Sequence, residues 1–243
     1  MDMEKIQKLK EIIDSSSRIV FFGGAGVSTE SGIPDFRSET GLYNARREYG
    51  RSPEEMISNS FFTAHTDTFF DYYKKNLIYR DARPNKAHTA LAKLEEQGKL
   101  IGVVTQNIDG LHQMAGSKKV YELHGSVLRN YCMRCGEDYT LDEIMEMPGV
   151  PRCHCGGIIK PDVVLYEEML DDGVLTGAIN AIKRADTLIV GGTSLVVYPA
   201  AGLIRYFKGN NLVLINKSET PYDSDASLVI NDSIGEVLGA CVL

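Results

Sequence analysis

Four of the five cysteines stand in two close pairs, Cys132-x2-Cys135 and Cys153-x-Cys155, separated by 153 − 135 − 1 = 17 residues. Paired knuckles ~15 to 20 residues apart have the spacing of a zinc site. Four thiolates close a tetrahedral shell and leave no position for water or substrate, so an ion held there is structural. Glycines follow both pairs, at Gly136, Gly156 and Gly157. The second pair is one residue short and encloses His154, which leaves three cysteines plus one histidine as an alternative ligand set and four buried free thiols as the bland reading. The clustering favours metal over a disulfide framework.

A second set of residues suits a nucleotide. The apolar run Arg18 to Phe22 opens onto Gly23-Gly24-Ala25-Gly26-Val27-Ser28, and Gly32-Ile33-Pro34-Asp35-Phe36-Arg37 follows. Small residues after a strand let backbone amides approach a pyrophosphate. As a dinucleotide fingerprint the turn is defective: Gly24 and Gly26 require a third glycine where Thr29 stands, and no acidic residue closes a promptly following strand. Taken alone it reads equally as a tight turn that only packs.

Polar residues recur directly after other apolar runs. Gln106-Asn107-Ile108-Asp109 follows Ile101 to Thr105, His124-Gly125 follows Lys119 to Leu123, Gly191-Gly192-Thr193-Ser194 follows Thr187 to Val190, and Asn216-Lys217 follows Leu212 to Ile215. Ligands of open parallel sheets bind beyond the carboxyl ends of strands, so all of these are expected to face one crevice. His124 is the best general-base candidate, because histidine titrates near neutral pH and a strand end is a rigid mount. A lone histidine is more often structural, but Asn107 and Asp109 beside it suit an amide and a ribose hydroxyl. His65, His88 and His112 lie in helical contexts and read as packing or surface groups. Val196 stands where a nucleophile elbow would place a glycine after Ser194, which argues against a serine hydrolase. Cys241 reads as a buried or ligand-adjacent thiol and not as a nucleophile.

The elements that must position these residues alternate strand and helix. Arg18 to Phe22, Ile101 to Thr105, Lys119 to Leu123, Thr187 to Val190, Leu212 to Ile215 and Leu228 to Ile230 are nearly continuous apolar runs, as strands buried on both faces are. Residues 1–13, Ala87 to Gln97 and Asp171 to Arg184 have helical patterns. The expected fold class is α/β, a Rossmann-like doubly wound parallel sheet. Residues 40–84, with Phe61, Phe62, Phe69, Phe70, Tyr72 and Tyr73 at helical spacing, and the cysteine-bearing residues 129–160 do not fit that alternation. They are expected to form a smaller lobe across a cleft from the sheet.

The 243 residues, 43% hydrophobic and 24% charged, have ordinary globular composition, long enough to bury roughly 70% of the unfolded surface. A net charge of −7 repels a phosphate backbone and favours cationic partners, so direct nucleic-acid binding is not expected. The most apolar stretch, Leu195 to Ile204, is interrupted by Tyr198, Pro199 and Gly202 and falls short of the ~18 to 20 residues that cross a bilayer. Residues 1–13 have no charged segment followed by an apolar one, so a cytoplasmic, membrane-free protein is expected.

Taken together, Gly24-Ala25-Gly26-Val27-Ser28, Gly32-Ile33-Pro34-Asp35-Phe36-Arg37, Thr105-Gln106-Asn107-Ile108-Asp109, Glu122-Leu123-His124-Gly125, the cysteine pairs, Gly192-Thr193-Ser194-Leu195, Val197-Tyr198-Pro199 and Leu214-Ile215-Asn216 resemble the sirtuins, the NAD-dependent protein lysine deacylases. Their order and contexts match from about residue 5 to the C-terminus, and jointly they are specific although each is modest alone.

The resemblance implies a Rossmann-like NAD-binding lobe (1–39, 85–128 and 161–243) and a small lobe made of a helical module (40–84) and a zinc ribbon (129–160). It implies that Ala25, Gly26, Ser28 and Thr29 approach the phosphates, that Phe36 shields the reacting ribose carbon and that Arg37 belongs to a cofactor loop. Gln106 lies in the same cofactor-binding set. Ile108 and Asp109 would bind the nicotinamide carboxamide, Asn107 the ribose side, and His124 would act as base on a ribose hydroxyl, so the catalytic pair is His124 and Asn107. Gly192, Thr193, Ser194, Asn216 and Lys217 would hold the adenosine half, with Ile234 near the adenine. Val163, Val164 and Leu165, continuing to Tyr166, and Leu195, Val196 and Val197 would sandwich an extended peptide by strand addition. Cys132, Cys135, Cys153 and Cys155 would hold one structural zinc.

The implied reaction consumes NAD as a co-substrate. The acyl oxygen attacks the ribose carbon as nicotinamide departs, His124 activates a ribose hydroxyl toward the resulting imidate, and free lysine and O-acyl-ADP-ribose result. Acetyl-lysine proteins or peptides are the implied partners, with nicotinamide as product and candidate inhibitor. Members that prefer succinyl or malonyl groups carry a Tyr-x-x-Arg pair before their Pro-Asn-x-x-His motif. Phe70 and Tyr73 align there, ahead of Pro84-Asn85-Lys86-Ala87-His88, so an uncharged acyl group is expected. A mono-ADP-ribosyltransferase using the same cleft is the alternative, because it too begins with nicotinamide loss.

Overall fold

In the computed structural model, residues 2–35 and 46–243 are described. Phe36 and Arg37 lie outside the described residues.

Six parallel strands form the larger sheet: β1 (Ile19–Gly23), β2 (Leu100–Thr105), β3 (Val120–Glu122), β7 (Thr187–Gly191), β8 (Asn211–Ile215) and β9 (Leu228–Ile230), in spatial order β3-β2-β1-β7-β8-β9. β1 pairs with β2 on one side (Phe21 with Val103) and with β7 on the other (Phe21 with Ile189). The order reverses at β1, which is the switch point of a doubly wound sheet. All of β1 and β7 is buried, as strands covered on both faces must be.

Helices cover both faces. On one face α1 (Met3–Ser15) buries Ile6, Leu9, Ile12 and Ile13, the stripe that its 3.6-residue period predicts, and Asp2 caps its first amides. It packs with α5 (Lys86–Glu96) and α9 (Ile234–Val242) over Ile19, Phe21 and Val103. On the other face α8 (Asp172–Arg184), capped by Asp171, and a short turn at Ala200–Tyr206 cover Val20, Phe22 and Val190. The apolar stretch Leu195 to Ile204 thus supplies core residues at Leu195, Ala200, Leu203 and Ile204, and no helix among the described residues is long and apolar enough to cross a membrane.

The two segments outside the alternation fold together. Residues 53–76 form three short helices, α2 (Pro53–Met56), α3 (Asn59–Ala64) and α4 (Thr66–Asn76). Beyond α6 (Leu111–Met114), β4 (Gly125–Cys132), β5 (Asp138–Thr140) and β6 (Ile159–Val163) form an antiparallel sheet in the order β5-β4-β6, with α7 (Leu141–Glu146) leaving β5. Phe61, Phe62, Phe69, Phe70, Tyr72 and Tyr73 from the helices meet Val127, Ile159 and Val163 from the sheet and Ile144 from α7 in one shared core.

β4 leaves the larger sheet at Gly125, whose φ is +75°. A Cβ there would overlap the Asp162 carbonyl oxygen, a backbone atom that cannot turn aside. Gly125→Ala therefore combines a left-handed strain with a backbone clash. It is expected to lower the unfolding free energy in urea by at least about 3 kcal/mol; a loss under about 1 kcal/mol would contradict the tightness of this junction.

Candidate functional site

The loops after β1 and β7 meet backbone to backbone. Gly26 donates its N–H to the Gly192 carbonyl at 2.8 Å. A Cβ on Gly26 would lie 2.8 Å from the Gly192 Cα, and one on Gly192, at φ +61°, would enter the Val27 amide. These glycines are therefore required by the meeting of the loops, whatever ligand they also approach.

From that contact, hydrogen bonds run to every neighbouring strand end. Asn107 Nδ2 donates to Ser28 Oγ at 3.0 Å, and Ser28 Oγ donates to Asp109 Oδ2 at 2.7 Å. Asp109 Oδ1 accepts the Leu111 N–H at 2.9 Å. Gln106 Nε2 donates to Thr193 Oγ1 at 3.1 Å, and Thr193 donates its N–H to Asn216 Oδ1 at 2.9 Å. Thr29 Oγ1 turns back to the Gly26 carbonyl. The buried Asn216 Nδ2 has no partner among the described residues, so a donor at the carboxyl end of β8 is left for a ligand acceptor.

His124 follows β3 and meets the Gln106 carbonyl through Nδ1 at 2.9 Å. A carbonyl accepts only, so Nδ1 carries the proton and the basic lone pair of the neutral ring is on Nε2. His124 lines a cavity of about 510 Å³ between the two sheets, within the ~300 to 1,000 Å³ of ligand sites.

Ala25, Ser28, Gln106, Asn107, Ile108 and Asp109 line the same cavity, as do Val163, Val164, Leu165 and Val197. The remaining expected residues lie elsewhere. Gly192, Thr193, Ser194, Asn216 and Lys217 lie past the switch point, outside the cavity lining. Val196 is exposed. Leu195 and Ile234 are buried in the cores on opposite faces of the larger sheet, Ile234 over Gly191, leaving little of either side chain to touch a ligand. Phe70 and Tyr73, aligned with an acyl-discriminating pair, are fully buried and absent from the lining, so they offer the cavity no contact.

Sequence spacing had not flagged the far wall. Ile57, Leu77 and Tyr79 from the helical segment and Leu141 and Asp142 from α7 line it, and Arg80 pairs with Asp142 at 2.7 Å. Among the described lining residues Asp35, Asp109, Asp142, Glu167 and Glu168 are acidic, a surround that favours a cationic chain over an anionic one.

The four cysteine sulfurs converge. Cys132 and Cys155 Sγ lie 3.5 Å apart, and Cys135 and Cys153 Sγ 3.6 Å, close to the ~3.8 Å edge of a tetrahedron with 2.3 Å metal–sulfur bonds. Backbone amides of Arg134 and Cys155 donate to Cys132 and Cys153 Sγ, and a Cβ on Gly157 would strike Cys132 Sγ. His154 turns outward to Glu137 at 3.2 Å, which favours the four-cysteine set over three cysteines plus histidine. Cys241 is half-buried against the Ile6 carbonyl, and burial pushes its thiol up to about 11, so it stays protonated.

Behind the site His88 and His112 pack together within the core, ring centroids 4.7 Å apart and planes inclined at 59°. His88 Nδ1 accepts the Asn85 N–H, completing the cap of α5, and Asn85 Nδ2 donates to the Val27 carbonyl and Ser31 Oγ. These two histidines are thus the packing groups expected, and they brace the loop after β1.

Residues 24–199 match the Sir2 family model. The chain belongs to the Sir2 family. It is similar to an NAD-dependent protein deacetylase of Clostridium perfringens, 67% identical over 241 residues that cover 98% of this chain and 99% of the relative. Among solved structures it is similar to a Sir2 with a deacetylated peptide and 3′-O-acetyl-ADP-ribose (TM-score 0.87, 40% identity, 97% of this chain and 96% of that one). It is also similar to a Sir2 with a peptide and NAD+ (TM-score 0.84, 40% identity, 96% and 95%).

Burial holds His88 well below the usual imidazole range, against an opposing pull from Asp109, and burial and then His88 lower His112 to about 3. Both rings are neutral in the fold, whereas the unfolded chain takes up their protons near pH 6.5. Their contribution is therefore complete above about pH 6.5 and is lost as pH falls toward the lowered folded values. Urea unfolding is expected to give a free energy that falls by less than about 1 kcal/mol from pH 7.5 to 6.5 and by about 2 kcal/mol more by pH 5.5. His112→Leu should about halve that drop, leaving the share of His88; an unchanged profile in the variant would contradict it.

Proposed function

We propose that the protein is an NAD-dependent protein lysine deacetylase that moves the acetyl group of acetyl-lysine onto ADP-ribose, releasing nicotinamide and O-acetyl-ADP-ribose. One observation carries the reading: a single cavity joins His124, held by Nδ1 to the Gln106 carbonyl, the Asn107–Ser28–Asp109 chain, and the strand edge at Val163, Val164 and Leu165. The relatives named NAD-dependent protein deacetylase and the neighbours solved with peptide, NAD+ or acetyl-ADP-ribose support the same reaction. NAD is spent as a co-substrate, and no hydride moves.

The residues divide the work as follows. Ala25, Gly26, Ser28 and Thr29 hold the phosphates, where the Gly26–Gly192 contact keeps the loop close to the sheet. Ile108 and Asp109 hold the carboxamide, and Asp109 is fixed for this by accepting from both Ser28 and the Leu111 amide. Asn107, fixed by the Ser28 hydroxyl, faces the ribose as charge develops on its reacting carbon. His124 takes the ribose hydroxyl proton on Nε2, and the Gln106 carbonyl, which accepts the separate Nδ1 proton, stabilises the imidazolium that forms. Gly192, Thr193, Ser194, Asn216 and Lys217 hold the adenosine half, with the unpartnered Asn216 Nδ2 as a donor. Phe36 and Arg37 complete the cofactor loop. Val163 to Leu165 and Leu195 to Val197 pair with the peptide, and the acidic surround suits lysine-rich targets.

Cys132, Cys135, Cys153 and Cys155 hold one zinc that supplies folding energy to the smaller sheet. We assign 1–39, 85–128 and 161–243 to the NAD-binding lobe, 40–84 to the helical module and 129–160 to the ribbon; β4 and β6 run through both sheet-side boundaries and join the lobes. With four reduced thiols gathered at one point, the cytoplasm is the compartment that fits.

Incubation with NAD and an acetyl-lysine peptide, with each omitted in turn, should release nicotinamide and O-acetyl-ADP-ribose only when both are present. His124→Ala should lower acetyl-ADP-ribose formation by about 10²- to 10⁴-fold while NAD binding and folding persist. Label from NAD retained on the peptide would favour mono-ADP-ribosyl transfer instead, and reduced nicotinamide would overturn both readings.

A further inference from the structure

The edge that the peptide is expected to use ends on an unusual backbone. Glu167 adopts φ +76°, a left-handed conformation that side chains rarely take. Its carboxylate is anchored on α3: Ser60 donates its N–H to Oε2 at 2.8 Å and its hydroxyl to Oε1 at 2.9 Å. The next residue is anchored as firmly. Glu168 accepts from Asn59 Nδ2 at 2.8 Å, from the Leu165 N–H at 2.9 Å and from the buried Lys160 Nζ at 3.2 Å. Backbone bonds run alongside, from Tyr166 N–H to the Ile57 carbonyl and from Asn59 N–H to the Tyr166 carbonyl.

This web uses most of the polar backbone of the segment. The Val164, Leu165 and Tyr166 amides are donated to His124, Glu168 and Ile57, and the Val163, Leu165 and Tyr166 carbonyls accept from Lys160, Glu168 and Asn59. Among the described residues, the Val164 carbonyl and the backbone N–H and C=O of Glu167 have no protein partner in these networks. These groups remain to pair with an extended peptide, and both residues line the cavity.

We infer that Glu167 is a positioning residue for the acyl-lysine peptide: its carboxylate, clamped on Ser60, holds its own backbone in the left-handed turn that presents the last strand-pairing groups of the edge. Glu168, held by Asn59 of the same helix, ties down the Leu165 amide, and the buried Lys160 ties down the Val163 carbonyl. The helical module thereby sets the geometry of peptide docking through two adjacent carboxylates and without contributing a strand. An extended chain that meets a preformed edge loses less freedom on binding than one that must order it. The inference rests on the proposal that the peptide docks on this edge, so its test separates the two.

Steady-state kinetics of the full chain with an acetyl-lysine peptide distinguish them. Glu167→Ala keeps the left-handed requirement but removes the anchor, and the peptide KM should rise about tenfold while kcat and the NAD KM stay within twofold. Glu167→Gln keeps one acceptor for Ser60 and should raise the peptide KM no more than about twofold. Thermal unfolding of each variant within about 3 °C of the parent shows that the effect is not loss of fold. A substrate peptide N-methylated at the backbone amide next to the acyl-lysine tests docking itself and should also raise KM. If N-methylation raises KM and Glu167→Ala leaves it unchanged, or moves kcat and the NAD KM equally, the clamp is wrong and the docking survives. If N-methylation leaves KM unchanged, the docking and the clamp both fall.

Discussion

The contact of Gly26 with Gly192 across the switch point is the constraint from which the rest of the site follows. It brings the turns after β1 and β7 within one backbone hydrogen bond, at a separation that no side chain on either residue would permit. With those turns joined, Ser28 reaches Asn107 and Asp109 beyond β2, and Thr193 reaches Gln106 on one side and Asn216 beyond β8 on the other. The carboxyl ends of separate strands thus become one connected surface before any ligand arrives. Such preorganisation counts in catalysis, because dipoles already oriented need not reorganise as charge develops.

The opposite wall is built by different means. Two segments distant in sequence share one core: aromatic residues of α3 and α4 pack with Val127, Ile159 and Val163 of β4 and β6. Because β4 grows out of the turn that carries His124, and β6 returns to pair Val163 with Gly125, the proposed general base and the expected peptide edge lie side by side at one end of one antiparallel register. Val164 donates its amide to the His124 carbonyl, closing that link. The distance between base and peptide is set by backbone pairing.

Legibility from the amino-acid sequence tracked how local the signal was. The parallel strands and α1, α5 and α8 could be read because buried strands are continuous apolar runs and amphipathic helices repeat every 3.6 residues. The polar residues after the strands were legible because the topology rule assigns them one crevice. The strands of the smaller sheet were hidden: β4 carries Arg129, Asn130 and a register shift between Gly125 and Asn130, and β6 contains Lys160 and Pro161, so neither alternates cleanly. Gly26, read as making room for phosphate, also makes room for Gly192, a contact between distant loops that no local pattern encodes. The far wall of the cavity depends on pairs such as Arg80 with Asp142, distant in sequence, which no local pattern encodes. Phe70 and Tyr73 sit on the closed side of α4, a rotational fact that alignment by motif spacing does not supply. Glu167 carried a signal in the adjacent acids Glu167-Glu168 after an apolar run, but its left-handed backbone is visible only in three dimensions.

The proposed chemistry is an attack by the acetyl oxygen of the lysine side chain on the ribose carbon that nicotinamide leaves, followed by acyl transfer to a hydroxyl activated by His124. The fate of one atom tests it. A peptide whose acetyl carbonyl carries ¹⁸O, taken through one turnover and quenched before the anomeric hydroxyl exchanges with water, should yield O-acetyl-ADP-ribose with the label on the oxygen of ribose C1′. Label found instead in the acetyl group, or in free acetate, would mean that water attacked the amide directly and would contradict the account.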